Sequence, residues 1–152
     1  MKNAMNDEQA VLEFLESAGM AMLENRRLQR RLDSLKDRRD ALQSRRSKAA
    51  RKLKEQLEAE YKRELDVMER ELDSYRRVEE FIARLPGSVH RMILRRRYLE
   101  TWNSWNEVQM VLAADGLNYS LRHLGRLHMG ALEKARLLWI REREEESNRE
   151  RR

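Results

Sequence analysis

Two apolar stripes that share a period but not a phase set the strongest constraint on this 152-residue chain. Phe14, Ala18, Ala21, Asn25, Leu28, Leu32, Leu35, Arg39 and Leu42 recur at alternating steps of four and three, the spacing of a coiled-coil seam. Tyr61, Leu65, Met68, Leu72, Tyr75, Glu79 and Ile82 repeat that rhythm, introduced by Leu53 and Leu57. Extended by sevens from Leu42, the first stripe reaches positions 49, 56 and 63, whereas the second uses 61. Two residues are about 200° of rotation on an α-helix, so one straight helix would point its stripes apart. A chain folded back over residues 44–48 instead sets Leu42 near Leu53, Leu35 near Tyr61, Leu28 near Met68 and Phe14 near Ile82. The spacing therefore predicts an antiparallel coiled-coil hairpin over residues 1–85. A long helix that oligomerises is the alternative, since only Ser44 and Ser47 are turn formers in the bend.

An all-α fold also follows from composition. One Pro and five Gly leave few places for tight turns, and the abundant Leu, Glu, Arg, Lys, Ala and Met are good helix formers. Charged residues make up 39% of the chain and aromatics 6%, which is too polar for a single large globular core.

The strongest break is Leu85-Pro86-Gly87-Ser88, where Pro ends one helix and Ser88 is expected to cap the next. Val89, Met92, Ile93 and Leu99 then form an apolar face among Arg91, Arg95, Arg96 and Arg97, followed by a polar turn from Thr101 to Ser104. Ser104-Trp105-Asn106-Glu107 is a capping box, and it opens a short helix with Trp105, Val108, Val111 and Leu112 on its apolar face. Asp115-Gly116 stops that helix. After the linker Leu117-Asn118-Tyr119, Ser120 caps a last helix with Leu124, Leu127, Ala131, Leu132, Ala135 and Leu138 at core spacing. Two helices joined by a short Gly-containing turn, with a third before them, predict a helix-turn-helix unit over residues 86–140, followed by a charged solvated tail at 141–152. In such a unit the first turns of the second helix enter the major groove, which makes Ser120, Arg122, His123 and Arg126 the candidate DNA contacts. Arg122 and Arg126 are four apart on one face, and Arg binds guanine O6 and N7 or phosphate oxygens. A merely solvated helix face would carry the same residue types.

The net charge of +6 is unevenly spread. Residues 24–54 hold 13 cations against 4 anions, and residues 55–80 hold 5 against 10. Arg45, Arg46, Lys48, Arg51 and Lys52 are candidates for secondary phosphate or partner contacts, although exposed like-charge runs usually serve solubility. Catalysis is not expected: the chain lacks Cys and a Gly-rich phosphate loop, and its three His, at 90, 123 and 128, have no carboxylate cluster beside them. His123 and His128 lie about 140° apart around a helix, so no shared metal site and no cofactor is expected, and His128 is expected to pack beside Trp or Tyr. Tyr98, Trp102 and Trp105 are candidates for base stacking, with a core role favoured for Trp105. No apolar run reaches the length of a membrane span, Met1 to Asn6 does not read as a leader, and the absence of Cys suits a reducing cytoplasm.

Ile93-Leu94-Arg95-Arg96-Arg97-Tyr98, Trp105-Asn106-Glu107-Val108, Tyr119-Ser120 through Arg126-Leu127-His128, and Ala131-Leu132-Glu133-Lys134 follow one another in that order. Over residues 82–136 this set resembles bacteriophage late-gene transcription regulators of the RinA and ArpU type, whose C-terminal half is similar to the promoter-binding fourth region of sigma factors. The resemblance implies a coiled-coil N-terminal half and a sequence-specific protein that binds double-stranded DNA and acts on phage transcription in a bacterial host. Ser120, Arg122, His123 and Arg126 would lie on its recognition helix, RNA polymerase is a candidate second partner, and a homodimer is compatible. Where these regulators join their long helices by a Gly-rich or Pro-containing loop, this chain has the basic segment from Arg45 to Lys52. Two other readings stay open. One is a DNA-packaging component resembling a small terminase subunit, which would form a ring of many copies. The other is a coiled-coil adaptor that binds no DNA.

Overall fold

A computed structural model of the chain describes residues 2–101 and 104–152. Among these it is all-helical: α1 (Lys2–Ala41), α2 (Lys48–Ala83), α3 (Ser88–Leu94), a π turn (Arg95–Glu100), α4 (Trp105–Ala114) and α5 (Leu121–Glu150). Trp102, named above for base stacking, lies outside the described residues.

The two long helices form the antiparallel hairpin that the phase shift predicts. Its bend needs neither Gly nor Pro, because Arg45 N–H donates to the Leu42 carbonyl at 3.1 Å and the Ser47 hydroxyl accepts from Ala50 N–H at 3.1 Å, capping α2. By packing, the chain divides into two compact units, residues 20–75 and residues 1–19 with 76–152.

In the unit of residues 20–75, Leu28, Leu32 and Leu35 of α1 and Ala50 and Leu57 of α2 are buried. The expected register holds: Arg31 reaches across to Glu60 at 2.8 Å and Glu64 at 3.2 Å. Half-buried Tyr61, Leu65, Met68 and Leu72 complete the seam.

In the other unit the helix ends bury more than a two-helix seam requires. Val11, Leu15, Val78 and Phe81 are fully enclosed, and α5 packs on Phe14 and Phe81. Trp139 of α5 stands 5.0 Å from the Phe14 ring and 6.0 Å from Phe81, and Phe14 meets Phe81 edge to face at 5.3 Å. Polar ties frame this cluster: the buried Asp7 accepts from Arg143 at 2.8 Å, and Arg84 pairs with Glu142 at 2.6 Å. Residues 141–150, expected as a solvated tail, continue α5 as helix, with side chains exposed from Arg143 onward.

Ser88 does not cap α3. Gly87 takes the cap position at φ 89°, a backbone region that favours Gly, and Ser88 becomes the first helical residue. The Arg91 guanidinium donates to the Leu85 carbonyl at 2.7 Å, satisfying the end of the preceding turn. Val89 is exposed, while Leu94 and Tyr98 turn inward beside Ile93 and Leu99, as happens when a helix is covered on more than one side. α3 approaches α5 so closely that a Cβ on Gly130 would stand 3.1 Å from His90 Nε2.

Candidate nucleic-acid interface

The geometry at the start of α5 is built from below by a small core. Ile93 of α3, Val108 and Leu112 of α4 and Leu124 of α5 are all fully buried, with Met92, Trp105, Leu117, Tyr119 and Leu127 packed around them. Burying each such side chain contributes about 1.5–3 kcal/mol, enough to hold two short helices that would not persist alone.

Both ends of α4 form as the residue types demand. The Ser104 hydroxyl accepts from Glu107 N–H at 3.2 Å, and the helix ends at Gly116, whose φ is 87°. Leu117 N–H then donates to the Leu112 carbonyl at 2.8 Å, closing the helix end. Two side chains fasten the connecting turn: Arg96 Nη2 pairs with Asp115 at 2.7 Å, and Gln109 donates to the Tyr119 carbonyl at 3.0 Å. Arg96 also pairs with Glu100, so it serves the scaffold rather than the open surface. Sequence reasoning missed both fastenings, because neither a 19-residue separation nor a lone Gln carries a periodic signal.

Ser120 caps α5, its hydroxyl accepting from His123 N–H at 3.1 Å. The four expected site residues are thereby brought together on the first two turns, and Ser120, Arg122, His123 and Arg126 are all exposed. Among the described residues no carboxylate lies within ion-pair distance of Arg122 or Arg126. By contrast, Arg84, Arg96 and Arg136 in the same unit are each paired with an acid. The His123 ring leans on Tyr119 with centroids 5.1 Å apart. Beside Ser120 an open hollow of about 360 Å³ is lined by Gln109, Met110, Ala113, Asn118 and Tyr119, and Met110 projects freely into solvent.

Tyr98, Trp105 and His128 pack together. Tyr98 is buried with its hydroxyl 2.7 Å from His128 Nε2, so it is not a stacking platform. His128 packs edge to face on Trp105 at 4.7 Å, and the Arg97 guanidinium covers the Trp105 ring, also at 4.7 Å. Burial, with Arg97 adding its charge, lowers His128 to a pKa of about 4, and burial pushes Tyr98 up to about 12. His123 and His128 point to different surroundings, and no cluster of three metal-binding side chains occurs among the described residues. Arg45, Arg46, Lys48, Arg51 and Lys52 are exposed around the hairpin bend. No helix among the described residues is long and apolar enough to cross a membrane.

No protein-family model, curated protein or solved structure matches the chain.

Proposed function

We propose that the protein is a sequence-specific DNA-binding transcriptional regulator of phage type. α4 and α5 act as a helix-turn-helix, and Ser120, Arg122, His123 and Arg126 enter the major groove. The observation that carries this reading is the pair of exposed guanidinium groups on the first two turns of a well-capped helix, with no carboxylate in ion-pair distance among the described residues, whereas Arg96, Arg136 and Arg143 of the same unit are each held by an acid. An unpaired Arg keeps its planar fork free for guanine edges or phosphates. The capping Ser120 leaves the helix N-terminus facing solvent, where its dipole favours a phosphate. The phage setting, the bacterial cytoplasm and RNA polymerase as a second partner rest on the resemblance to the RinA and ArpU regulators.

Competition binding tests the assignment on a duplex recovered by selection from a random pool. Arg122→Ala and Arg126→Ala should each lose about 1–3 kcal/mol on the selected duplex and less on random sequence. Equal losses on both would reduce these residues to phosphate contacts. A ring of many copies in solution would instead favour the packaging reading.

A further inference from the structure

At the hairpin bend the exposed cations are not the whole surface. Within the unit of residues 20–75, Ala41, Leu42, Leu53 and Leu57 line a hollow of about 340 Å³, with Arg38 and Arg45 among its walls. Leu57 forms the floor at 7% exposure, whereas Leu53 is 44% exposed. Neither Arg38 nor Arg45 has a carboxylate within ion-pair distance among the described residues, while Arg31 on the same helix is held by two. Residues 38–54 contain eight cations and a single acid, Asp40, which Arg39 already approaches at 3.6 Å. An apolar cleft walled by Arg is the makeup of a protein-binding hot spot, because Arg is enriched and Lys depleted at interface centres.

We propose that this hollow docks an acidic amphipathic helix of another protein. An apolar side chain of that helix enters between Leu42, Leu53 and Leu57, and its flanking carboxylates are taken by Arg38 and Arg45. Charge complementarity selects the occupant. The bend of a second copy carries the same excess of cations and is repelled. A nucleic-acid duplex satisfies cations but gains nothing from an apolar hollow, since phosphate contacts dominate its affinity. The docking mode is the helix-in-groove type, in which apolar anchors recur at three- and four-residue steps. It is independent of the DNA-binding assignment, because none of its residues lies on α4 or α5.

The test uses the full chain and a fluorescein-labelled synthetic helix of about 18 residues, with Leu along one face and Glu on the others. Anisotropy at about 150 mM salt should show saturable binding, at least roughly tenfold tighter than for a scrambled peptide of the same composition. Leu53→Glu should weaken it by at least about tenfold, as should Arg38→Gln combined with Arg45→Gln, whereas Arg122→Ala with Arg126→Ala should leave it unchanged. If Leu53→Glu lowers the helix content measured by circular dichroism, Leu53→Ser at this already exposed position carries the comparison. No binding, equal binding of the scrambled peptide, or indifference to both Leu53 variants overturns the proposal. So does a result in which the two Arg→Gln changes spare the peptide and flatten the salt dependence of duplex binding by about 0.9 for each phosphate no longer neutralised, since the occupant is then nucleic acid. A dimer that Leu53→Glu dissolves would make a second copy the occupant and also overturn it.

Discussion

The Tyr98 hydroxyl lies 2.7 Å from His128 Nε2, joining the π turn to the third turn of α5 by a half-buried hydrogen bond. That imidazole is neutral in the fold, lowered to about 4 by its burial and by the Arg97 charge. In the unfolded chain it titrates near the ordinary 6.5, so the unfolded state takes up a proton first as pH falls. The contribution of His128 to stability is therefore full above about 6.5 and lost progressively between 6.5 and 4. His90, lowered by burial and by Lys134, acts in the same direction. Denaturant unfolding at several pH values should show this fall, and His128→Gln, which cannot titrate, should flatten it. An identical pH dependence in the two proteins would mean that His128 is solvated.

Leu28 and Met68 face each other in the register marked by Arg31 and Glu64. Leu28→Cys combined with Met68→Cys should form a disulfide within one chain under mild oxidation, visible as a faster-migrating monomer on a non-reducing gel. Crosslinks only between chains would restore the long oligomerising helix.

The hairpin was legible because its signal is local and periodic: a two-residue phase shift points the stripes of one straight helix apart, and a reversal brings them together whatever the turn looks like. The caps at Ser104 and Ser120 and the stop at Gly116 were legible for the same reason, since each depends on residues within one turn. Phe81 was not, because it lies off the second stripe and is covered by Trp139 of α5, and a heptad pattern records one covered face only. Leu94 and Tyr98 escaped because α3 and the π turn are covered on more than one side. Ser88 misled because cap chemistry looked sufficient, whereas the left-handed backbone at Gly87 had already claimed the position. Of the candidate site, the exposed residues were readable, but the Arg96–Asp115 and Gln109–Tyr119 ties that aim them are long-range contacts with no sequence period.

The two Gly residues of α5 should respond in opposite ways. A Cβ at Gly125 meets nothing within 4 Å, whereas one at Gly130 would crowd His90 at 3.1 Å. Gly125→Ala should therefore raise stability by about 0.5–1 kcal/mol in chemical denaturation, and Gly130→Ala should gain less or lose. Because Gly125 lies on the face of Arg122 and Arg126, its added methyl group should also weaken duplex binding. A Gly125→Ala variant that is more stable and binds DNA as well as the parent would move the duplex off this face.

Selection of bound duplexes from a random-sequence pool, run in parallel on the parent chain and on Arg122→Ala with Arg126→Ala, tests the central claim most directly. If the start of α5 reads bases, the parent enriches one motif, and the variant loses preference at the positions those two residues contact while retaining weaker, sequence-independent binding. Enrichment of the same motif by both proteins, or of none by the parent, would contradict the account.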